Sequence, residues 1–109
     1  MEESQALAAL GALAQETRLG IVRHLVRQGD DGAAAGEIGA ALGVAASRLS
    51  FHLAALEQAG LVSSEKVSRS IVYRADFTRL GGLIGFLLED CCGGHPMVAA
   101  CCGAGKTGC

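Results

Sequence analysis

Ile38-Gly39-Ala40-Ala41-Leu42-Gly43-Val44-Ala45-Ala46-Ser47-Arg48-Leu49-Ser50-Phe51-His52-Leu53 reads as two helices with hardly a pause between them. In the first, Ile38, Ala41 and Leu42 share one face, and Gly43 stands where a left-handed C-terminal glycine is favoured. In the second, Leu49, Leu53 and Leu56 line one side, Glu57 and Gln58 are polar, and Gly60 ends the run. Two helices joined across residues 43–46, the second with an inward leucine stripe, predict a helix-turn-helix.

Upstream, Leu7, Leu10 and Ala14 recur at helical spacing from Ser4 onward, with Ala and Gly between them that would let another backbone come close. A second helix follows Glu16-Thr17, which suit its N-terminal cap. Leu19, Val22, Leu25 and Val26 form its stripe, Arg23 and Arg27 point outward, and Gly29-Asp30-Asp31-Gly32 stops it. Downstream, residues 61–67 and 70–75 alternate as strands, with Ile71, Tyr73 and Ala75 on one face and a turn at Ser68-Arg69. A final helix opens at Asp76, a good N-cap, and carries Phe77, Leu80, Leu83, Ile84, Leu87 and Leu88. That stripe is wider than a small monomer covers. Gly81, Gly82 and Gly85 each cost a helix about 1 kcal/mol relative to Ala, a cost that close approach of another helix explains. The expected fold is mainly α with a small β-hairpin, a winged helix-turn-helix, with a dimer interface on the last helix.

The chain's 109 residues make about one domain, and 18% charged residues describe an ordinary folded protein. The natural division is a folded unit over residues 1–90 and a Gly- and Cys-rich tail over 91–109. Nine Lys plus Arg against eleven Asp plus Glu exclude a generally basic nucleic-acid coat. Positive charge is instead gathered locally: residues 44–79 hold five basic and three acidic side chains. The apolar run 80–88 falls well short of the roughly 20 residues a bilayer requires, so no membrane partner is expected. Met1-Glu2-Glu3 lacks the features of a secretory signal, which makes a reducing cytoplasm the expected compartment.

In this plan the second helix of the helix-turn-helix enters the DNA major groove and the hairpin wing touches the backbone. With the leucine stripe inward, Ser47 and Phe51 turn outward and Arg48, Ser50 and His52 lie on the flanks; these five form the expected reading face. Arg48 suits a guanine edge or a phosphate, Ser47 and Ser50 bond to either, and Phe51 suits a thymine methyl. The competing reading is that Ser and Arg merely solvate a surface helix and that Phe51 packs under the wing. Lys66 and Arg69 suit phosphate contact, against simple surface charge.

The stretches Glu16-Thr17-Arg18-Leu19-Gly20-Ile21-Val22, Leu49-Ser50-Phe51-His52-Leu53, Ala59-Gly60-Leu61-Val62 and Tyr73-Arg74-Ala75-Asp76-Phe77 resemble the ArsR/SmtB family of bacterial metal-responsive repressors. The resemblance covers nearly the whole chain. It implies a homodimer joined through the first and last helices that sits on operator double-stranded DNA and leaves it when an effector binds. Ala45 and Ala46 stand where relatives usually place Ser and Gln, and the wing turn lacks the usual Gly.

The five cysteines, Cys91, Cys92, Cys101, Cys102 and Cys109, all fall in the last nineteen residues, so they do not cross-link the body. Family members that sense through cysteines on the third helix, His and carboxylates on the last, or a helix-two cysteine have no counterpart in this sequence. Cys91-Cys92-Gly93-Gly94-His95-Pro96 resembles instead the ArsR subgroup that binds trivalent arsenic through two neighbouring cysteines and a third downstream. Thiolates select soft ions, and As(III) takes three sulfurs in a pyramid. Cys91 and Cys92 supply two, and Cys101 or Cys102 the third; arsenite or Sb(III) is the expected inducer, with no catalytic cofactor. His95 with the cysteines would alternatively hold tetrahedral Zn²⁺ or Cd²⁺, and a cysteine-tail metal carrier or an oxidation-sensitive tail are further readings. A thiol enzyme is disfavoured: Cys91 follows a helix C-terminus and Glu89-Asp90, which oppose a thiolate nucleophile.

Overall fold

The structure is a computed structural model and describes residues 1–88. Five helices and a three-stranded antiparallel sheet follow in the order α1 (Glu3–Leu13), α2 (Glu16–Gln28), β1 (Ala33–Ala34), α3 (Ala35–Leu42), α4 (Ala46–Gln58), β2 (Val62–Val67), β3 (Ser70–Ala75) and α5 (Phe77–Leu87). A single 3₁₀ turn, Gly29–Asp31, links α2 to β1. The mainly helical winged helix-turn-helix expected from the sequence is therefore present, with one strand more than the hairpin alone.

Local chemistry explains the element ends. Gly43 closes α3 at φ 67, ψ 38, the left-handed cap that frees the chain to turn directly into α4. Asp76 caps α5 as expected, its Oδ1 accepting from the Arg79 N–H at 2.9 Å. The cap of α2 is Gln15, whose Oε1 accepts from the Arg18 N–H at 2.9 Å; this corrects the assignment to Glu16-Thr17. Each lies one or two residues inside the helix that Gln15 caps.

The core gathers Ile21 and Leu25 of α2, Ile38 of α3, the α4 stripe Leu49, Leu53 and Leu56, and Leu61, all fully buried. Truncating such a leucine to Ala costs about 2–5 kcal/mol. The inward face of α2 is Ile21, Val22 and Leu25, while Leu19 and Val26 are exposed, so the expected stripe is rotated by part of a turn. In α1 the inward residues are Ala6, Ala9 and Ala12, and Leu7 and Leu10 point away, with Leu7 62% exposed. Small side chains allow α1 to lie close against the body, and the leucines take the side that remains. Ala41 is likewise exposed beside buried Ile38.

The sheet order is β1-β3-β2, with Val67 opposite Ser70 and Val62 opposite Ala75 across the wing. The two-residue loop Ser68-Arg69 places Ser68 at φ 58, the only non-glycine residue with positive φ among those described. β1 pairs Ala33 with Tyr73, and Gly32 before it has no room for a side chain: a Cβ there would clash with the Tyr73 carbonyl oxygen. Of the α5 stripe, Leu83 is buried and Phe77, Ile84 and Leu87 are exposed. Among the described residues, nothing outside their own helix backbone lies within 4 Å of the Cβ positions of Gly81 or Gly85.

Candidate nucleic-acid interface

α4 is held at the surface by its leucine stripe, which leaves Ser47, Arg48, Ser50 and Phe51 facing solvent, Phe51 at 65% exposure. Four of the five expected reading residues thus share one accessible surface. The fifth does not. His52 is 8% exposed and turned toward α2, where its Nδ1 accepts from the Arg18 Nε–H at 3.0 Å. The flank position read for it is corrected by this hydrogen bond, which draws the ring inward instead of leaving it on the groove side.

Burial, then the neighbouring charges of Arg18 and Arg48, lower the His52 pKa below its ordinary 6.5. The ring is therefore neutral near pH 7, with its acceptor Nδ1 toward Arg18 and its proton on Nε2. The Arg18 guanidinium also lies 5.6 Å from the centroid of the Phe51 ring, and the Phe51 and His52 rings meet edge to face at 5.4 Å. Phe51 therefore lies beside Arg18 of α2, largely exposed instead of packed under the wing.

The N-terminus of α4 has no side-chain cap, because Ala45 offers no oxygen. Arg48 stands one turn in, exposed and without an ion-pair partner among the described residues. The wing's cations divide into two kinds. Arg74 is held, donating from one nitrogen to Glu65 at 2.7 Å and from Nε to the Asp30 carbonyl at 2.8 Å. Lys66 and Arg69 are exposed and make no ion pair among the described residues. Ser64 donates to Glu57 at 2.7 Å, tying the wing to the C-terminal turn of α4.

No group of three His, Cys, Asp or Glu side chains suited to a metal ion occurs among the described residues. A cavity of about 500 Å³ lies between α3 and α4, lined by Ala, Gly, Val44, Leu49 and Ser50, and offers no thiolate, imidazole or carboxylate. Cys91, Cys92, Cys101 and Cys102 lie outside the described residues. No single helix among those described is long and apolar enough to cross a membrane.

Arg18 and the Arg74 clamp carried no sequence signal of their own. Arg18 and His52 both sit in stretches that carry the family resemblance, yet 34 residues separate them and no periodicity links them.

A family model described as a helix-turn-helix domain matches residues 13–65. No curated protein matches the chain. Among solved structures the chain is similar to an ArsR-like transcriptional regulator from Rhodococcus sp. RHA1, with 33% identity, TM-score 0.69, and coverage of 77% of this chain and 76% of that one. It is similar also to the homodimeric winged helix-turn-helix DNA-binding domain Mb0332 from Mycobacterium bovis, a possible ArsR-family regulator (29% identity, TM-score 0.63, covering 85% of this chain and 86% of that one). A third, a possible transcriptional regulator for arsenical resistance, shares 30% identity at TM-score 0.62, covering 72% of this chain and 79% of that one. The first of these is a transcriptional regulator and the other two are possible ones. With this fold, this exposed helix and this likeness, the chain belongs to the ArsR family of winged helix-turn-helix transcriptional regulators.

Proposed function

We propose that the chain is a homodimeric repressor that holds operator DNA through two copies of α4 and releases it when As(III) or Sb(III) is captured by Cys91, Cys92 and either Cys101 or Cys102. The observation that carries this reading is the confinement of every cysteine to residues 91–109, beyond the helix expected to join the dimer. Thiolates are the donors that thiophilic ions select, and this tail presents them with no carboxylate among residues 91–109. The likeness to a possible regulator for arsenical resistance supports the same inducer class.

Arg48 bonds to a guanine edge or phosphate, Ser47 and Ser50 to base or backbone, and Phe51 packs on a thymine methyl. Lys66 and Arg69 contact phosphates from the wing. Two copies of α4 then occupy successive major grooves about one helical turn apart. Dimerisation rests on α1 and α5: Leu7, Leu10, Ile84 and Leu87 are exposed, and α5 keeps two glycines that no other element among the described residues approaches. The homodimeric state of the Mycobacterium bovis domain supports this. A metalloid held just after α5 favours a dimer geometry in which the two α4 helices no longer match the grooves. Such coupling is reciprocal, so DNA weakens metalloid binding by the same factor, typically about 1–3 kcal/mol.

X-ray absorption of arsenite-loaded full-length protein tests the inducer. Three As–S bonds per site are expected. A site that rejects arsenite and binds Zn²⁺ through cysteine sulfur and His95 nitrogen would establish a zinc-type sensor in its place.

A further inference from the structure

Phe51 is a large apolar ring standing in water, and two groups confine it. The edge-to-face contact with His52 fixes one side, and the Arg18 guanidinium lies against it from α2. Arg18 is half-buried, and it lines a shallow surface depression of about 340 Å³ with Ala8 and Ala12 of α1, Ala55 of α4 and Ala59 just past the end of α4. It is therefore placed where three helices meet, behind the exposed residues of α4. Its Nε is engaged by His52 while the carbon at its centre lies over the Phe51 ring. A guanidinium does both at once because its donors lie in the plane and its π face lies across it; an ammonium has no such plane.

We propose that Arg18 is a positioning residue for DNA reading, which fixes the orientation of Phe51 through its hydrogen bond to His52 and its contact with the Phe51 ring, and so sets base preference without touching DNA. This rests on α4 being the reading helix. An untethered Phe51 has other rotamers open to it, and its contact with one base-pair position is then averaged away.

The test uses the full-length chain, a duplex that the wild-type protein selects from a random-sequence pool, and a scrambled duplex of the same composition. Fluorescence anisotropy gives the affinity ratio between the two, at several salt concentrations. Arg18→Lys and Arg18→Gln are each expected to lower that ratio about tenfold, the size of one lost base contact. The salt slope stays at the wild-type value, since no phosphate contact is removed. In a Phe51→Ala background, Arg18→Lys lowers the ratio no further. Imidazole ¹⁵N NMR, which needs no DNA, is expected to show the Nε2–H form of His52 in the wild type and a tautomer mixture in Arg18→Gln. Wild-type discrimination in Arg18→Lys, a salt slope reduced by about one, additive losses with Phe51→Ala, or an unchanged tautomer would each overturn the assignment alone. A wild-type protein that binds selected and scrambled duplexes alike would overturn the DNA reading itself, and this assignment with it.

Discussion

Ser68 holds a backbone conformation, φ 58, that L residues with a Cβ reach only at a cost of roughly 1–2 kcal/mol. Ser68→Gly is expected to stabilise the protein by about 1 kcal/mol, read as a raised urea midpoint with an unchanged slope. His52 gives a second expectation. Its pKa is lowered in the folded state, so the folded chain binds fewer protons than the unfolded chain below pH 6.5. Its contribution is complete above 6.5 and is lost as the pH falls below that value. The thermal midpoint of the wild type should therefore drop more between pH 7 and pH 5 than that of His52→Gln. At this scale the sequence is readable where the cause is local. Asp76 and Gly43 act within one helical turn of themselves, and both take the expected roles. The inward turn of His52 depends on Arg18, a partner that folding alone brings near.

Among the elements, the order of helices and strands was legible because each carries its own hydrophobic period, and the α4 leucine stripe lies inward as its spacing predicts. The faces of α1 and α2 were not. Both helices carry apolar residues on more than one side, so period alone does not say which side meets the body. Close packing selects Ala6, Ala9 and Ala12 over Leu7 and Leu10, and Ile21 over Leu19. β1 is two residues long and has no period to detect. On the wing, sequence gave Lys66 and Arg69 as cations but could not reveal that Arg74 is neutralised by Glu65. The three arginine and lysine positions should therefore behave differently. Lys66→Ala and Arg69→Ala are each expected to weaken binding to every duplex and to reduce the salt slope by about one, whereas Arg74→Ala should leave that slope unchanged. Anisotropy titrations over a range of salt distinguish them.

For the whole molecule, the exposed apolar residues of α1 and α5 need a cover, which the proposed dimer supplies with a second copy of the chain. Ile84, 53% exposed on α5, is the most direct probe. Ile84→Glu is expected to yield monomers in sedimentation velocity and to lose operator affinity, because one copy of α4 reaches only one half-site. Chemistry of the proposed inducer rests on residue type alone: five cysteines, with His95 and Met97 as the other soft donors nearby, and no statement of which sulfur would close the site. Operator binding by wild type, Cys91→Ser and Cys92→Ser, with and without arsenite, bears on the central claim most directly. All three should bind DNA equally without arsenite, and arsenite should release the wild type alone. Release of both serine variants at wild-type arsenite concentrations would contradict the account.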